Sequence, residues 1–378
     1  MLPSKEANLS RSKKGGAEMQ IRLSEDLPRR TFQNLLSETP AIYESSSKSE
    51  ADWLCNRLGS PGTVTRLVTG PAAPEGYFRV KAATSDLFIK VLCSENAGGV
   101  ARGEKVARYL FEQGARVIAN LDVLPVTNFG QDFSLFVYPY MQLRAAQISR
   151  DSELMSVGRL LGRVHLLLRS YPDPEPVIEF TRSRIETLCH LQHRLIHGLL
   201  INAKIGGILR SICSQVNFES WLQSEPGVGL QIVHGDLTFG NVVFCPRDEA
   251  WLLDFEETLF LSPVIDLAGA LDRFVLVHCS RPEEAWRRAL QFLRGYSSAG
   301  TPVASLIADG RVEKALRFLY VRSLLLLAGM EDSGHQVPDG EWSKFLGLVD
   351  ALKNWIPLLR ELEALGPELD SPELQVGA

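Results

Sequence analysis

The chain has 378 residues, of which 45% are hydrophobic and 22% are charged, and its formal net charge is −5. A chain of this length accommodates about two or three core-forming units, and the composition is that of a globular protein. The acidic balance argues against non-specific nucleic-acid binding, which needs a basic surface, so no nucleic-acid partner is expected.

Three features of the sequence bear on its location. No apolar run approaches the roughly 18 residues that a membrane helix needs, so no membrane association is expected. The first residues lack the apolar core of a signal peptide. The 6 cysteines are scattered and form no C-x-x-C pair, which is typical of reduced thiols. We therefore predict a cytoplasmic protein, and the sequence leaves its oligomeric state open.

The chain begins with a polar segment and then turns to sheet-forming sequence. Residues 1–48 are predicted to be a flexible tail because their hydrophobicity is low, with one short helix at residues 21–36. The first lobe is predicted over residues 49–140, with a main helix at residues 99–113. Five strands are predicted in this lobe, at residues 62–70, 77–81, 87–92, 123–127 and 135–140. Short turns join the first three strands, which predicts an antiparallel meander.

One lysine interrupts the third of these strands. Lys90 shares a strand face with Phe88 and Leu92, and an ammonium among apolar neighbours costs free energy unless it is paired. It is either an edge-strand lysine that reaches water or a lysine directed at phosphate oxygens beside an acid. Glu104, at the margin of the apolar stripe of the main helix, is the candidate acid. The alternative for Glu104 is an exposed position bonded to Arg108, four residues further on.

The second lobe is predicted over residues 141–366 and is mainly helical. Its apolar residues recur at helical spacing over several segments, the longest at residues 154–168 and 341–365. Pro357 is expected to kink the last helix. Residues 367–378 are predicted to be a loose tail.

The residues that carry chemistry follow an apolar run at residues 232–233. Asp236 stands in a loop bounded by glycines, and residues 242–244 and 251–255 predict a β-hairpin with Asn241 and Asp254 at its open end. A carboxylate can orient an alcohol and accept its proton, and Asn and Asp oxygens are ligands that magnesium takes alongside phosphates. Phosphoryl transfer needs mainly positioning and charge neutralisation. Together with Lys90, these residues predict that chemistry.

The same residues carry a resemblance to a known family. The sequence HGDLTFGN at residues 234–241, LLDFE at residues 252–256 and DLA at residues 266–268 resembles the motif of the aminoglycoside phosphotransferase and choline kinase family. The resemblance implies an α+β, two-lobed protein-kinase-like fold. Its N-terminal lobe would be a five-stranded antiparallel sheet with one main helix, and its C-terminal lobe would be larger and mainly helical. ATP, or another nucleoside triphosphate, and Mg²⁺ are the implied cofactors.

The resemblance also implies a role for each motif residue. Asp236 would be the catalytic base that orients the acceptor hydroxyl, while Asn241 and Asp254 would hold magnesium on the nucleotide phosphates. Lys90 would contact the α- and β-phosphates, with Glu104 orienting it.

Other residues would support this site. Asp266 would brace the catalytic loop through backbone N–H groups, and His234 would be structural. Tyr138 and Tyr140 would border the adenine through backbone bonds that do not depend on side-chain identity. The loop at residues 70–76 departs from the family pattern, since it has two prolines and no Gly-x-Gly sequence.

The predicted activity is an ATP- and magnesium-dependent transfer of the γ-phosphoryl group to a hydroxyl of a small molecule. Aminoglycosides, amino alcohols, sugars and homoserine are the candidate acceptor types. Only 11 residues separate Asp254 from Asp266, too few for the segment that protein kinases use to bind peptides. The alternative is a catalytically weak, nucleotide-binding regulatory or interaction protein on the same scaffold.

Overall fold

The structure is a computed structural model. It describes residues 43–59, 61–67, 75–95, 97–128, 131–146, 150–198, 206–223 and 228–371. The predicted helix at residues 21–36, most of the loop at residues 70–76 and the last residues of the chain lie outside these ranges.

The first lobe is built on an antiparallel sheet with the strand order β1-β2-β3-β4-β6-β5. Its strands are β1 (Tyr43–Ser45), β2 (Gly62–Leu67), β3 (Gly76–Ala82), β4 (Asp86–Cys93), β5 (Asp122–Asn128) and β6 (Gln131–Pro139). The five predicted strands are confirmed, including the meander formed by β2, β3 and β4. A short sixth strand, β1, is added at the edge.

This sixth strand corrects the predicted extent of the N-terminal tail. Residues 43–48 were expected to be flexible, but Tyr43–Ser45 pairs with β2. Helix α1 (Lys48–Leu58) then begins at a capping box, in which Ser47 and Glu50 each bond the other's backbone N–H. The serine-rich composition that suggests disorder here also provides a helix N-cap, so residues of the predicted tail form part of the first lobe.

The two faces of the sheet have different partners. Helix α1 covers one face, where Leu54 packs with Phe78 and Ile89. Helix α2 (Ala97–Glu112) covers part of the other, where Val100 packs with Phe136. Because side chains alternate along a strand and Lys90 is paired with Phe136 in register, Lys90 lies on the face that carries α2.

The second lobe is mainly helical and also contains short strands. Its helices are α3 (Asp151–Leu168), α4 (Glu175–Ile196), α5 (Gly206–Cys213), α6 (Val264–Phe274), α7 (Pro282–Ser297), α8 (Ala304–Ile307), α9 (Arg311–Asp332) and α10 (Asp339–Leu369). Its strands are β7 (Arg144–Ala145), β8 (Gln231–Val233), β9 (Val242–Phe244), β10 (Ala250–Leu252) and β11 (Leu259–Leu261). The predicted α+β fold with a sheet-containing lobe and a larger helical lobe is confirmed.

Helices α3 and α7 pack closely at the centre of this lobe. A Cβ atom on Gly158 would lie 2.0 Å from the backbone oxygen of Phe292, and one on Gly295 would lie 2.1 Å from that of Met155. The glycines therefore let the two backbones touch. No helix of the described ranges is long and apolar enough to cross a membrane.

The end of the chain corrects the second predicted boundary. Helix α10 runs to Leu369, with Pro357 and Pro367 inside it, so residues 367–369 are helical rather than a loose tail. The carboxylate of Asp370 accepts the backbone N–H groups of Val303 at 2.8 Å and Ala304 at 2.9 Å. These bonds satisfy amide groups at the start of α8 and tie the residue that follows α10 to that helix.

Candidate active site

The catalytic loop begins where β8 ends. Strand β8 is buried at each residue and pairs with β11. Gly235 then adopts a φ of 79°, and a Cβ atom there would lie 2.0 Å from the backbone oxygen of Glu257. Only glycine fits such a position. The sharp turn directs the next residue, Asp236, away from the direction of strand β8.

Asp266, at the start of α6, holds this loop through hydrogen bonds to its backbone. Its carboxylate accepts the backbone N–H of His234 at 2.6 Å and that of Gly235 at 2.8 Å. Burial acts to raise the pKa of Asp266, but the hydrogen bond from His165 and the charge and N–H contacts around it hold that pKa below its ordinary value. The bracing contact expected of Asp266 is present.

His165 is a buried member of this network that the sequence reading did not identify. Its Nε2 lies 3.0 Å from Asp266 Oδ2, and its Nδ1 lies 2.6 Å from the hydroxyl of Tyr296. The neutral tautomer with a proton on Nε2 satisfies both contacts, because the Tyr296 hydroxyl then donates to Nδ1. His165 lies on the apolar stripe of α3, and a polar residue on such a stripe is the signal that would have revealed it.

His234 connects the catalytic loop to the strand that leads to Asp254. Its Nε2 lies 2.7 Å from the backbone oxygen of Leu253, an acceptor, so Nε2 carries the proton. Its Nδ1 accepts the N–H of Asp236 at 3.3 Å. The ring is fully buried. These contacts give His234 a structural position.

Asp236 and Asn241 are in direct contact. The amide nitrogen of Asn241 donates to the Asp236 backbone oxygen at 2.8 Å and to its Oδ2 at 3.1 Å. Burial is the main cause that raises the pKa of Asp236, and the charges of Glu257 and Asp254 raise it further, while His234 opposes them. A raised pKa makes a carboxylate a better proton acceptor near neutral pH.

Asp254 is placed by the predicted hairpin, which is confirmed. Leu252 pairs with Val242, and Leu253 N donates to Asn241 O at 2.9 Å. Asn241 and Asp254 therefore lie at the same end of the hairpin. Asp254 has a φ of 59°, a left-handed conformation that is rare for a residue with a side chain and that clusters at functional sites.

The donor set at this end of the hairpin fits magnesium. The Asn241 nitrogen is committed to Asp236, so its amide oxygen is the atom suited to a metal, and Asp254 offers a carboxylate. Within the described part of the chain, no three His, Cys, Asp or Glu side chains form a closed metal cluster. An open site with one or two protein oxygens is the form in which magnesium binds nucleotide phosphates.

Lys90 lies in the interior of the first lobe. It is 5% exposed, its strand lies between β3 and β6, and its Nζ forms an ion pair with Glu256. The Nζ also lies 5.8 Å from the ring centre of Tyr77. The alternative of an edge-strand lysine that reaches water is therefore wrong. The motif residue two positions after Asp254 holds the ammonium, a contact that the sequence reading missed.

Glu104 faces inward, and its two oxygens are bonded. One accepts the hydroxyl of Tyr138 at 2.6 Å, and the other accepts the backbone N–H of Asn120 at 2.9 Å. Burial raises the pKa of Glu104 although both bonds and the charge of Lys90 lower it. Arg108, the alternative partner, donates to Asn120 instead. The orientation of Lys90 by Glu104 stays a prediction.

The two tyrosines expected at the adenine site have side-chain contacts within the first lobe. Tyr138 uses its hydroxyl on Glu104, and its ring lies 6.1 Å from that of Phe88, so its side-chain identity matters. The backbone N–H of Tyr140 already donates to Asp86 O at 2.9 Å, and Arg79 lies 3.7 Å above its ring. The backbone contact of these two residues with adenine therefore stays a prediction, with the Tyr140 N–H already bonded to Asp86.

Helix α2 is docked directly on the segment after Asp254. A Cβ atom on Gly103 would lie 2.3 Å from the backbone oxygen of Phe255. Arg102 donates to the backbone oxygen of Glu256 at 3.1 Å. The helix that carries Glu104 and the loop that carries Asp254 are therefore in backbone contact, and the two lobes meet at the site.

Comparison with known proteins identifies the family. Residues 66–305 match the family model of the phosphotransferase enzyme family. The chain belongs to this family. It is an enzyme of the phosphotransferase class, and the predicted resemblance is confirmed. No match to a curated protein was found.

Several solved structures share the fold of this chain. Choline kinase LicA from Streptococcus pneumoniae is 18% identical with a TM-score of 0.53, covering 80% of this chain and 97% of its own. A thermostable mutant of aminoglycoside phosphotransferase APH(4)-Ia is 14% identical with a TM-score of 0.53, covering 82% and 98%. Macrolide 2'-phosphotransferase MphH from Brachybacterium faecium is 14% identical with a TM-score of 0.51, covering 80% and 98%.

Proposed function

We propose that this phosphotransferase moves the γ-phosphoryl group of ATP, with Mg²⁺, to a hydroxyl of a small molecule. The observation that carries the proposal is the contact between Asp236 and Asn241 at the end of the hairpin that also positions Asp254. A proton acceptor and two metal-binding oxygens thus share one small volume. The similar solved structures include a choline kinase, an aminoglycoside phosphotransferase and a macrolide phosphotransferase.

In this mechanism Asp236 acts on the acceptor alcohol. Its carboxylate orients the hydroxyl and takes the proton as the oxygen forms its bond to the γ-phosphorus and the bond to the ADP oxygen breaks. Asn241 orients the Asp236 carboxylate by donating to Oδ2, which leaves the other oxygen for the alcohol. The pKa of Asp236, raised by burial, suits it to accept a proton.

The first lobe contributes to positioning the nucleotide phosphates. Lys90, buried on the sheet face toward the second lobe, neutralises phosphate charge. Asn241 and Asp254 would hold magnesium, which neutralises the charge that develops on the transferred group.

The test is a transfer assay with full-length protein, Mg-ATP and a panel of alcohols that includes aminoglycosides, amino alcohols, sugars and hydroxy acids. Magnesium-dependent appearance of a phosphorylated acceptor is expected, and Asp236→Ala serves as the inactive control. Stabilisation by Mg-ATP without transfer to any acceptor would favour the regulatory alternative. Absence of any stabilisation would contradict both, since a ligand that binds the native state must stabilise it.

A further inference from the structure

The peptide group that joins Gly235 to Asp236 is held at both of its polar atoms. Its N–H, which belongs to Asp236, donates to Nδ1 of His234 at 3.3 Å. Its carbonyl oxygen, which belongs to Gly235, accepts a hydrogen bond from Nη1 of Arg322 on α9 at 3.3 Å. This peptide leads directly into the proposed base, so both contacts bear on where the Asp236 side chain points. Neither the proposed transfer step nor the family motif uses Arg322.

Arg322 also contacts the segment that follows Asp254. Its Nη2 donates to Oε2 of Glu257 at 2.8 Å, three residues after the proposed magnesium ligand. The bonds to Gly235 and to Glu257 leave from different nitrogens of one guanidinium group, which is planar and presents its donors in a rigid fork. Arg322 therefore joins the catalytic loop to the segment that carries Asp254.

Glu257 is held firmly enough to anchor this link. It is 5% exposed, and its Oε1 lies 3.2 Å from Arg184 on α4. Burying a carboxylate costs free energy unless the group is paired and hydrogen-bonded, so both ion pairs of Glu257 are expected to persist. The side chain of Arg322 is 19% exposed, which limits the competition of water for its two bonds.

Helix α9 is bonded to the helix that braces the other side of Gly235. The hydroxyl of Tyr320, two residues before Arg322, donates to Oδ1 of Asp272 on α6, and both side chains are buried. Helix α6 also carries Asp266, which accepts the N–H of Gly235 at 2.8 Å. The N–H and the carbonyl oxygen of Gly235 are thus bonded to two helices that are bonded to each other.

We infer that Arg322 is a positioning residue for the transfer step, which fixes the peptide of Asp236 relative to the segment that carries Asp254. This inference rests on the proposed function and adds a residue to the same site. Arg322 acts through Gly235 and Glu257 and not by contact with the acceptor. A misplacement of about 1 Å can lower a rate about a hundredfold, so loss of Arg322 is expected to lower kcat.

Two substitutions in the full-length protein separate the fork geometry of Arg322 from its charge. Arg322→Gln removes the charge and the fork, whereas Arg322→Lys keeps the charge as a point without the fork. We expect kcat to fall about tenfold or more in both variants, with the KM for ATP and the affinity for Mg-ADP within about twofold of wild type. Wild-type kcat in Arg322→Lys would overturn the inference, because charge alone would then suffice.

Arg317→Gln is the matched control for these substitutions. Arg317 lies on the same helix and pairs with Glu313 at 2.9 Å, so its loss removes an ion pair of α9 that does not reach the catalytic loop. We expect Arg317→Gln to keep the wild-type kcat. An equal fall of kcat in Arg317→Gln and Arg322→Gln would overturn the inference, since any weakening of α9 would then produce the effect.

Hydrogen exchange of the catalytic loop, measured at single-residue resolution by mass spectrometry, needs no acceptor. In Arg322→Gln the amide of Asp236 is expected to exchange about tenfold faster relative to those of His234 and Gly235, which Asp266 holds. An unchanged ratio would overturn the inference, because a global loss of stability does not raise it. A wild-type protein that phosphorylates no alcohol would contradict the proposed function, whereas the exchange ratio tests the hold of Arg322 on the loop separately.

Discussion

The side-chain nitrogen of Asn241 lies 3.1 Å from Oδ2 of Asp236, so the proposed base and a proposed magnesium ligand are joined by a hydrogen bond. Asn241 can serve both functions because its nitrogen faces Asp236 and its oxygen is left for the metal. We expect Asn241→Asp to lower kcat about a hundredfold or more, since it removes the donor and places like charge beside the base. Steady-state kinetics over a magnesium titration measure this effect. Asn241→Asp with wild-type kcat would contradict the paired role.

Asp236, in the catalytic loop, and Asp266, which braces that loop from α6, predict opposite dependences of stability on pH. Asp236 has a raised pKa, so its ionised form destabilises the native state above that pKa. We expect Asp236→Asn to raise the unfolding midpoint at pH 7 to 8. That gain should shrink as the pH falls below the raised pKa and should vanish below the ordinary aspartate value. Thermal unfolding across pH measures it, and an unchanged or lower midpoint at neutral pH would contradict it.

Asp266 provides the matched comparison, because its pKa is lowered. Its contribution to stability is present above the ordinary aspartate pKa and is lost as the pH falls through the lowered value. We expect Asp266→Asn to destabilise the protein by about 3 kcal/mol at neutral pH, as breaking a buried charged network does. Denaturant unfolding at several pH values measures this. A change of stability in the same direction for Asp266→Asn and Asp236→Asn at neutral pH would contradict this prediction.

Tyr138 is expected to matter through its hydroxyl. Tyr138→Phe removes the donor to the half-buried Glu104 carboxylate, which should cost about 1 kcal/mol of stability and raise the KM for ATP. Tyr140→Phe keeps the ring that stacks on Arg79 and leaves Glu104 bonded, so it is the control. Chemical denaturation and nucleotide-dependent kinetics measure both variants, and equal effects would show that the Glu104 bond is unimportant.

Alanine substitutions at Gly235 and Gly198 distinguish the cost of backbone strain from the cost of a steric clash. Both have positive φ, but a Cβ atom on Gly235 would lie 2.0 Å from Glu257 O, whereas one on Gly198 would meet no atom within 4 Å. We expect Gly198→Ala to cost about 1 kcal/mol and Gly235→Ala to cost several times more and to abolish turnover. Unfolding midpoints and transfer rates measure the pair. Similar costs for the two would place the effect in backbone strain alone.

Much of the site was predictable because its residues are close in sequence. Asp236, Asn241 and Asp254 lie on one loop and one hairpin, and local turn chemistry and strand alternation place them. The pairing of Lys90 with Glu256 and of Glu257 with Arg184 and Arg322 was not predictable. These contacts join distant parts of the chain, and only the packing of helices against the hairpin decides which charged side chains meet.

The two tail boundaries show the same limit. A serine-rich segment reads as disordered by composition, yet Ser47 begins a helix through its cap. Asp370 lies in a polar C-terminal segment, yet it caps a different helix. Composition describes the average polarity of a segment, whereas a cap depends on one or two hydrogen bonds, so composition assigned residues 43–48 and 367–371 to the tails although they belong to the fold.

The bonds from His234 and Gly235 to Asp266 have a consequence for how the loop moves. Loop amides ordinarily exchange their protons through small local openings. Here both amides end on a carboxylate that is 2% exposed and is tied through His165 to Tyr296. No small opening releases them, so their exchange with solvent should follow the global unfolding of the lobe. We therefore expect the catalytic loop to unfold together with the helical core, so that damage to that core at Tyr296 also lowers the order of the loop.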